Sequence, residues 1–165
     1  MNIVIRSMQP TDWVKVAEIY KQGIETGNAT FQQTIPSWDE WNSVHISSCR
    51  IIAEVDKELA GWAALSAVSS RPVYAGVAEV SVYVNSNYRG QQIGTELLQA
   101  IISESESMGF WTLQSGILIE NSASIAIHKK SGFREIGYRE NVAKMNDVWR
   151  NTVLFERRSN VAGMD

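Results

Sequence analysis

The chain has a single cysteine, Cys49, so no internal disulfide can form, in keeping with the reducing cytoplasm where we expect the protein to work. No apolar run approaches the ~20 residues that span a bilayer. The opening MNIVIRSMQ is too short and too polar for a signal peptide, so no membrane partner is expected. An excess of one charge is missing too. The net charge of −3 is spread over mixed signs, which offers neither nucleic acid nor an anionic surface a basic patch. Two histidines, His45 and His128, and one cysteine cannot build a typical zinc site without carboxylates, and no ligand cluster is visible, so no metal is expected. Repeats and low-complexity tracts are absent. What remains is a chain of 165 residues, enough for one domain with a sizeable core. We expect that domain to span residues 1–159, with 160–165 a frayed tail.

Periodicity sets the order of elements. Ile3 to Arg6 reads as a strand, and MQPTDW opens a helix with Thr11 as N-cap and Trp13, Val16, Ala17, Tyr20 and Ile24 on its buried stripe. Ser37 and Glu40 have capping-box spacing at the start of a second helix. RIIAEV and LAGWAALSAV, joined by Asp56-Lys57-Glu58, read as a hairpin, and the alternating AEVSVYV, Ala78 to Val84, as a further strand. A long helix follows, with Ile93, Leu97, Leu98, Ile101, Ile102 and Met108 on one stripe. TLQSGIL is a strand, ENSASIAIHKKSG a short helix with Asn121 near its start and Gly132 after its end, and FREIGYR and WRNTVLFERR supply two more strands. This α/β order, β-α-α-β-β-β-α-β-α-β-β, predicts a mixed sheet of about seven strands with about four helices on its faces. Trp13, Trp38, Trp41 and Trp62 are expected in the core or an interface.

The chemistry starts at NYRGQQIGTELLQAI, residues 87 to 101. A glycine turn between strand and helix exposes backbone N–H groups at the positive end of the helix dipole, and a phosphate is the usual occupant of such a site. Gly90 and Gly94 also match the spacing by which small residues let helices pack.

The turn RGQQIGT, the later ENSASIAIHKKSGF and the order of elements resemble the GNAT acetyltransferases, which use acetyl-coenzyme A. TGNATFQQTIPSWDEW, EVSVYV and WRNTVLFERRS resemble, within that superfamily, the phosphinothricin and methionine-sulfoximine N-acetyltransferases. The resemblance covers Ile3 to Ser159 and implies a mostly antiparallel twisted sheet, acetyl-coenzyme A as co-substrate, a small-molecule amine as acceptor and a homodimer. The family's turn is Arg/Gln-x-x-Gly-x-Gly/Ala. Arg89 and Gly94 match it, but Gln92 stands where glycine is usual, which is tolerable if Gln92 keeps a helical φ. By resemblance, the pyrophosphate lies on the turn Arg89, Gly90, Gln91, Gln92, Ile93, Gly94 and Thr95. The pantetheine pairs with the strand edge at Val82, Tyr83 and Val84, and Asn121 and Ser124 complete the coenzyme site.

The same resemblance places a general base at Glu79, which takes the amine proton directly or through a water. On strand pattern alone, Glu79 and Ser81 would simply face solvent opposite Val80 and Val82. His128 sits where many of these enzymes carry a tyrosine. It is either an acid for the leaving thiolate or a relay for the amine proton, or else a histidine on a partly exposed helix face beside Lys129 and Lys130. Asn121 can cap its helix, bond a pantetheine amide, or do both. Arg71 and Tyr74, with Thr30 and Phe31 of the Ala29-Thr30-Phe31 loop, frame the acceptor pocket by resemblance. The planar fork of Arg71 suits a carboxylate, but without the resemblance Arg71 reads as a surface residue. Asn151 replaces the aspartate that usually follows Trp-Arg, which bears on a contact at the acceptor mouth or between subunits. The function expected is acetylation of the α-amine of a small amino acid or analogue. The alternatives are acetylation of a polyamine or protein N-terminus, and a silent coenzyme A-binding module.

Overall fold

The computed structural model describes every residue from Met1 to Asp165. Its strands are β1 (Ile3–Ser7), β2 (Ile51–Val55), β3 (Glu58–Ala67), β4 (Val77–Val84), β5 (Thr112–Leu118), β6 (Arg134–Met145) and β7 (Val148–Arg158). Its helices are α1 (Trp13–Thr26), α2 (Trp38–Val44), α3 (Ile93–Ser107) and α4 (Ser122–Lys130). The seven strands form one sheet in the order β1-β2-β3-β4-β5-β7-β6. Every neighbouring pair is antiparallel except β4 and β5. The element order and sheet class are those read from the sequence.

Local chemistry explains most boundaries. Asp56 and Lys57 both take positive φ, 50° and 69°, the handedness a two-residue turn needs to match the twist of its strands. At α2 the capping box forms in full: the Glu40 N–H donates to Ser37 Oγ at 3.2 Å and the Ser37 N–H to Glu40 Oε2 at 2.8 Å. The start of α1 differs from expectation. Pro10–Asp12 form a 3₁₀ turn and the α-helix begins at Trp13, so Thr11 is not its N-cap. Asp12 draws the turn tight because its carboxylate accepts from the Gln9 N–H at 2.7 Å and pairs with Arg6 at 2.9 Å.

Alternate residues of β3 divide the core between the two sheet faces. Ala63 and Leu65 pack with Leu97, Leu98 and Ile101 of α3, while Trp62 and Ala64 pack with Val16, Ile19 and Trp41 of α1 and α2. Trp13 and Trp38 lie against the second cluster, so all four tryptophans belong to the core. Leu97, Leu98 and Ile101 are fully buried, each contributing roughly 1.5–3 kcal/mol. Met108, expected on that stripe, falls one residue past α3 and is exposed.

Two long-range features were not legible beforehand. β6 runs well past FREIGYR to Met145, because an irregularity between Arg139 and Ala143, with Asn141 at φ 47°, lets it bend and resume pairing with β7. The last residues fold back on the end of β7. Arg158 donates to the carbonyls of Ser159, Ala162 and Gly163 at 2.8, 2.9 and 2.7 Å, and the Ser159 hydroxyl donates to Glu106 of α3.

The feature that positions the site is the short β4–β5 pairing. It covers only Val77–Thr112, Ala78–Leu113 and Glu79–Gln114. Beyond Glu79, β4 pairs with β3 alone, and beyond Gln114, β5 pairs with β7 alone. The sheet therefore opens from within. Just before this pairing, Gly76 accepts from the Trp111 N–H at 2.8 Å, and a Cβ added there would lie 2.0 Å from the Trp111 ring. Gly76→Ala is expected to destabilise the fold by about 1–3 kcal/mol through overpacking. Gly137→Ala on β6, which meets nothing within 4 Å, is expected to change stability by less than about 1 kcal/mol. Thermal unfolding of the two variants checks both.

Candidate active site

Where β4 and β5 part lies a cavity of about 1010 Å³. Its walls are the free stretches of the two strands, the loop after α1, the turn before α3 and the first turns of α4. Val82, Tyr83 and Val84 line it from β4, and their main-chain groups on the β5 side have no strand partner. Such an edge can take an extended ligand by strand addition.

At one end the chain turns from β4 into α3 through Arg89, Gly90, Gln92, Ile93, Gly94 and Thr95. The first amides of α3 have no partner within the helix and sit at its positive end. Gln91 is exposed and lies outside the lining. Gln92 departs from expectation: its φ is +67°, not helical, and it makes no side-chain cap. A residue with a Cβ is disfavoured there by roughly 1–2 kcal/mol, which gives a physical reason for the glycine usual at this place. Gly94 answers a different need. A Cβ there would lie 3.2 Å from Ile127 and 3.4 Å from Val84, so glycine lets α3 close on α4 and β4.

Glu79 stands at the last paired rung, half-buried and lining the cavity, so it faces this enclosed space rather than an open surface. Gln114 Nε2 donates to its Oε2 at 3.4 Å. Four residues further along the same strand face, Tyr83 stacks on Trp62 and Tyr20 with ring centroids 4.8 and 4.9 Å apart. Burial pushes both phenols above their ordinary range. Thr30 and Phe31 reach the cavity from the loop after α1.

His128 is buried, 2 % exposed. Its Nδ1 lies 2.7 Å from the Ser124 carbonyl, which can only accept, so Nδ1 carries the proton. Burial lowers its pKa below the ordinary 6.5, which leaves the ring neutral at pH 7 and Nε2 an acceptor without a protein partner. The expected role as an acid does not fit this arrangement, because a neutral ring whose only N–H is spent on a carbonyl has no proton to give. The helix-face alternative fails too, since the imidazole packs edge-on against Phe133 at 5.0 Å rather than lying beside Lys129 and Lys130 in solvent. Asn121 caps α4, with Oδ1 accepting from the Ser124 N–H at 3.2 Å, and both residues line the cavity.

Two expected acceptor residues are elsewhere. Arg71 and Tyr74 are exposed and do not line the cavity. Pro72–Tyr74 form a 3₁₀ turn, and the Arg71 guanidinium lies 5.7 Å over the Tyr74 ring. Arg150 was overlooked beside the departure at Asn151. It donates to Gly27 O at 2.9 Å, Asn28 Oδ1 at 2.8 Å and Glu120 Oε2 at 3.1 Å, tying the loop after α1 and the loop before α4 to β7. Asn151 itself accepts from the Asn141 N–H at 2.7 Å and holds the irregularity in β6. Gln114 was also missed, since one polar residue in a strand carries no signal of its cross-strand partner.

Among curated proteins, the chain is 27 % identical over 162 residues to the phosphinothricin N-acetyltransferase of Alcaligenes faecalis, covering 94 % of this chain and 82 % of that one. It is 24 % identical, over 94 % of both chains, to the L-methionine sulfoximine/L-methionine sulfone acetyltransferase of Pseudomonas aeruginosa. Its fold is shared with the crystal structure of a phosphinothricin acetyltransferase from Sinorhizobium meliloti in complex with AcCoA (TM-score 0.89, 24 % identity, 100 % of this chain and 92 % of that one). The model of the Acetyltransferase (GNAT) family matches residues 13–133, a span that runs from α1 through the parted strands and the turn before α3 to just past α4. This chain belongs to the GNAT acetyltransferase family.

Proposed function

We propose that the protein moves an acetyl group from acetyl-coenzyme A to the amine of a small amino acid or analogue of the phosphinothricin or methionine-sulfoximine kind, and that it acts as a cytoplasmic homodimer. The observation that carries the transfer reading is the placement of Glu79 at the last rung before the strands part, beside an unpaired strand edge. The residues fit the coenzyme: Val82–Val84 offer main-chain groups to its amides, and the start of α3 with Arg89 suits its phosphates. When bound, it supplies an activated acetyl ester of a thiol.

In the transfer the acceptor nitrogen forms a bond to the acetyl carbon, the carbon–sulfur bond breaks with its electron pair leaving on the thiolate, which takes a proton from water, and a proton leaves the nitrogen. Glu79 takes that proton, directly or through a water. His128 acts from the side of α4 as an acceptor, through the free Nε2, and fits a relay. Thr30 and Phe31 shape the acceptor end. The relatives' names favour amino-acid analogues. One observation favours the runner-up, a cationic acceptor such as a polyamine or peptide N-terminus: Glu79 and Glu120 both line the cavity, whereas Arg71 lies outside it. A silent coenzyme A-binding module has the departure at Gln92 on its side and the presence of Glu79 against it.

Four outcomes are expected. In calorimetry, Arg89→Glu binds acetyl-coenzyme A about 10–150-fold more weakly, the worth of a charged hydrogen bond, while Gln92→Gly binds as well or better and unfolds later. In a thiol-release assay, Glu79→Gln lowers kcat on the order of 10²-fold or more with coenzyme affinity kept; full activity overturns the base assignment. The same assay compares free amino acids and the two analogues with polyamines and peptides, and faster reaction of every polyamine or peptide favours the runner-up. By NMR, His128 titrates below 6.5, and because its folded pKa is depressed, the stability it contributes is present above 6.5 and lost as pH falls from there through the lower folded pKa.

A further inference from the structure

Register aligns a row of polar residues across one face of the sheet. Ser66 of β3 stands opposite Glu79 of β4, Glu79 opposite Gln114 of β5, and Gln114 opposite Glu156 of β7. Arg134 of β6 faces Glu156 and donates to its carboxylate at 2.7 Å. Gln114 is thus the one residue set between two carboxylates, one in the cavity and one already paired.

We infer that Gln114 is a positioning residue for Glu79, holding its carboxylate at the point where the strands part. This rests on the reading of Glu79 as the base. The Glu79–Gln114 rung is the last one paired. The next position of β5 on the same face is Gly116, where an added Cβ would meet nothing within 4 Å. Above the rung there is therefore open cavity, and from β5 only Gln114 reaches the carboxylate. Its Nε2 donates to Oε2, and Oε1 takes no protein hydrogen bond, so one oxygen is steadied while the other is free for the incoming proton.

An amide suits the place because it donates without charge. A carboxylate there would set a like charge against Glu79, and an ammonium would hold Glu79 in its ionised form as a spent partner. The other groups that face Glu79 leave this role to Gln114. Ser66 is uncharged, Tyr83 on the same strand is kept neutral by burial, and the loop after α1 brings Asn28, Thr30, Phe31 and Gln32, none charged. Glu156 lies beyond Gln114 and is taken by Arg134.

The test compares Gln114→Met, which keeps length and volume but loses the donor, with Gln114→Glu, which keeps shape and reverses polarity. Two readouts are used: the pH midpoint of the Glu79 side-chain carboxyl resonance, identified by its loss in Glu79→Gln, and the pH profile of kcat/KM with acetyl-coenzyme A and methionine sulfoximine. The midpoint is expected to move to higher pH in Gln114→Met and further in Gln114→Glu, with the acid limb of kcat/KM following it. In Gln114→Met, kcat is expected to fall roughly tenfold, the scale of one lost hydrogen bond, with KM for acetyl-coenzyme A and the unfolding temperature unchanged. A fall in kcat with neither the midpoint nor the limb moved overturns the inference and leaves the base assignment standing. A moved midpoint in a protein that acetylates no amine supports the contact and overturns the proposed transfer.

Discussion

Everything at the active site depends on two parallel strands that stop pairing. β4 and β5 share three rungs and then part, which strands main-chain donors and acceptors in the middle of a sheet. Buried backbone groups without partners are costly, so such a gap persists only where something else can take the bonds, either solvent in an open cavity or an extended ligand. The rest of the fold keeps the gap from closing. β3 holds one wall through its long antiparallel pairing with β4, and β7 holds the other by pairing along the whole of β5. α3 packs across the sheet beneath the opening, with Gly94 permitting close approach to Val84 and Ile127.

Polar groups around the opening are arranged by burial and by neighbours rather than by net charge. His128 is kept neutral because it is enclosed and its one N–H is committed to the Ser124 carbonyl. Tyr20 and Tyr83 are kept protonated by burial and stack on one another. Arg150 is the main cation near the acceptor side, and its donors are spent on the loop after α1 and on Glu120. It acts as a tie between three segments distant in the chain, and it leaves the cavity wall without a free positive charge at that end. Arg89 supplies one at the phosphate end. The cavity is therefore polarised along its length.

Order of elements, sheet class, the capping box at Ser37 and Glu40 and the turn at Asp56-Lys57 were all legible in the sequence, because each is decided within a few residues. Most of the site residues named from the glycine turn and the resemblance line the cavity, although more than half of its wall was not named. The misses share a cause. Thr11 lost the cap to a turn drawn in by Asp12, which answers to Arg6 on β1. The tail folds onto Ser159 and Arg158, and Ser159 itself answers to Glu106, more than fifty residues earlier in the chain. Arg71 and Tyr74 were placed by resemblance at a pocket from which a 3₁₀ turn directs them away.

The sequence by itself determined the strands and helices, the anion-binding turn and the presence of a carboxylate on a central strand, since periodicity, glycine and local hydrogen bonding act over a few residues. Only the tertiary structure decided which atoms those residues face. It set Gln92 at positive φ, spent the one proton of His128 on a carbonyl, and put Gln114 beside Glu79 across a parallel rung. These outcomes depend on register and burial, which arise when segments far apart in the chain compete for the same partners.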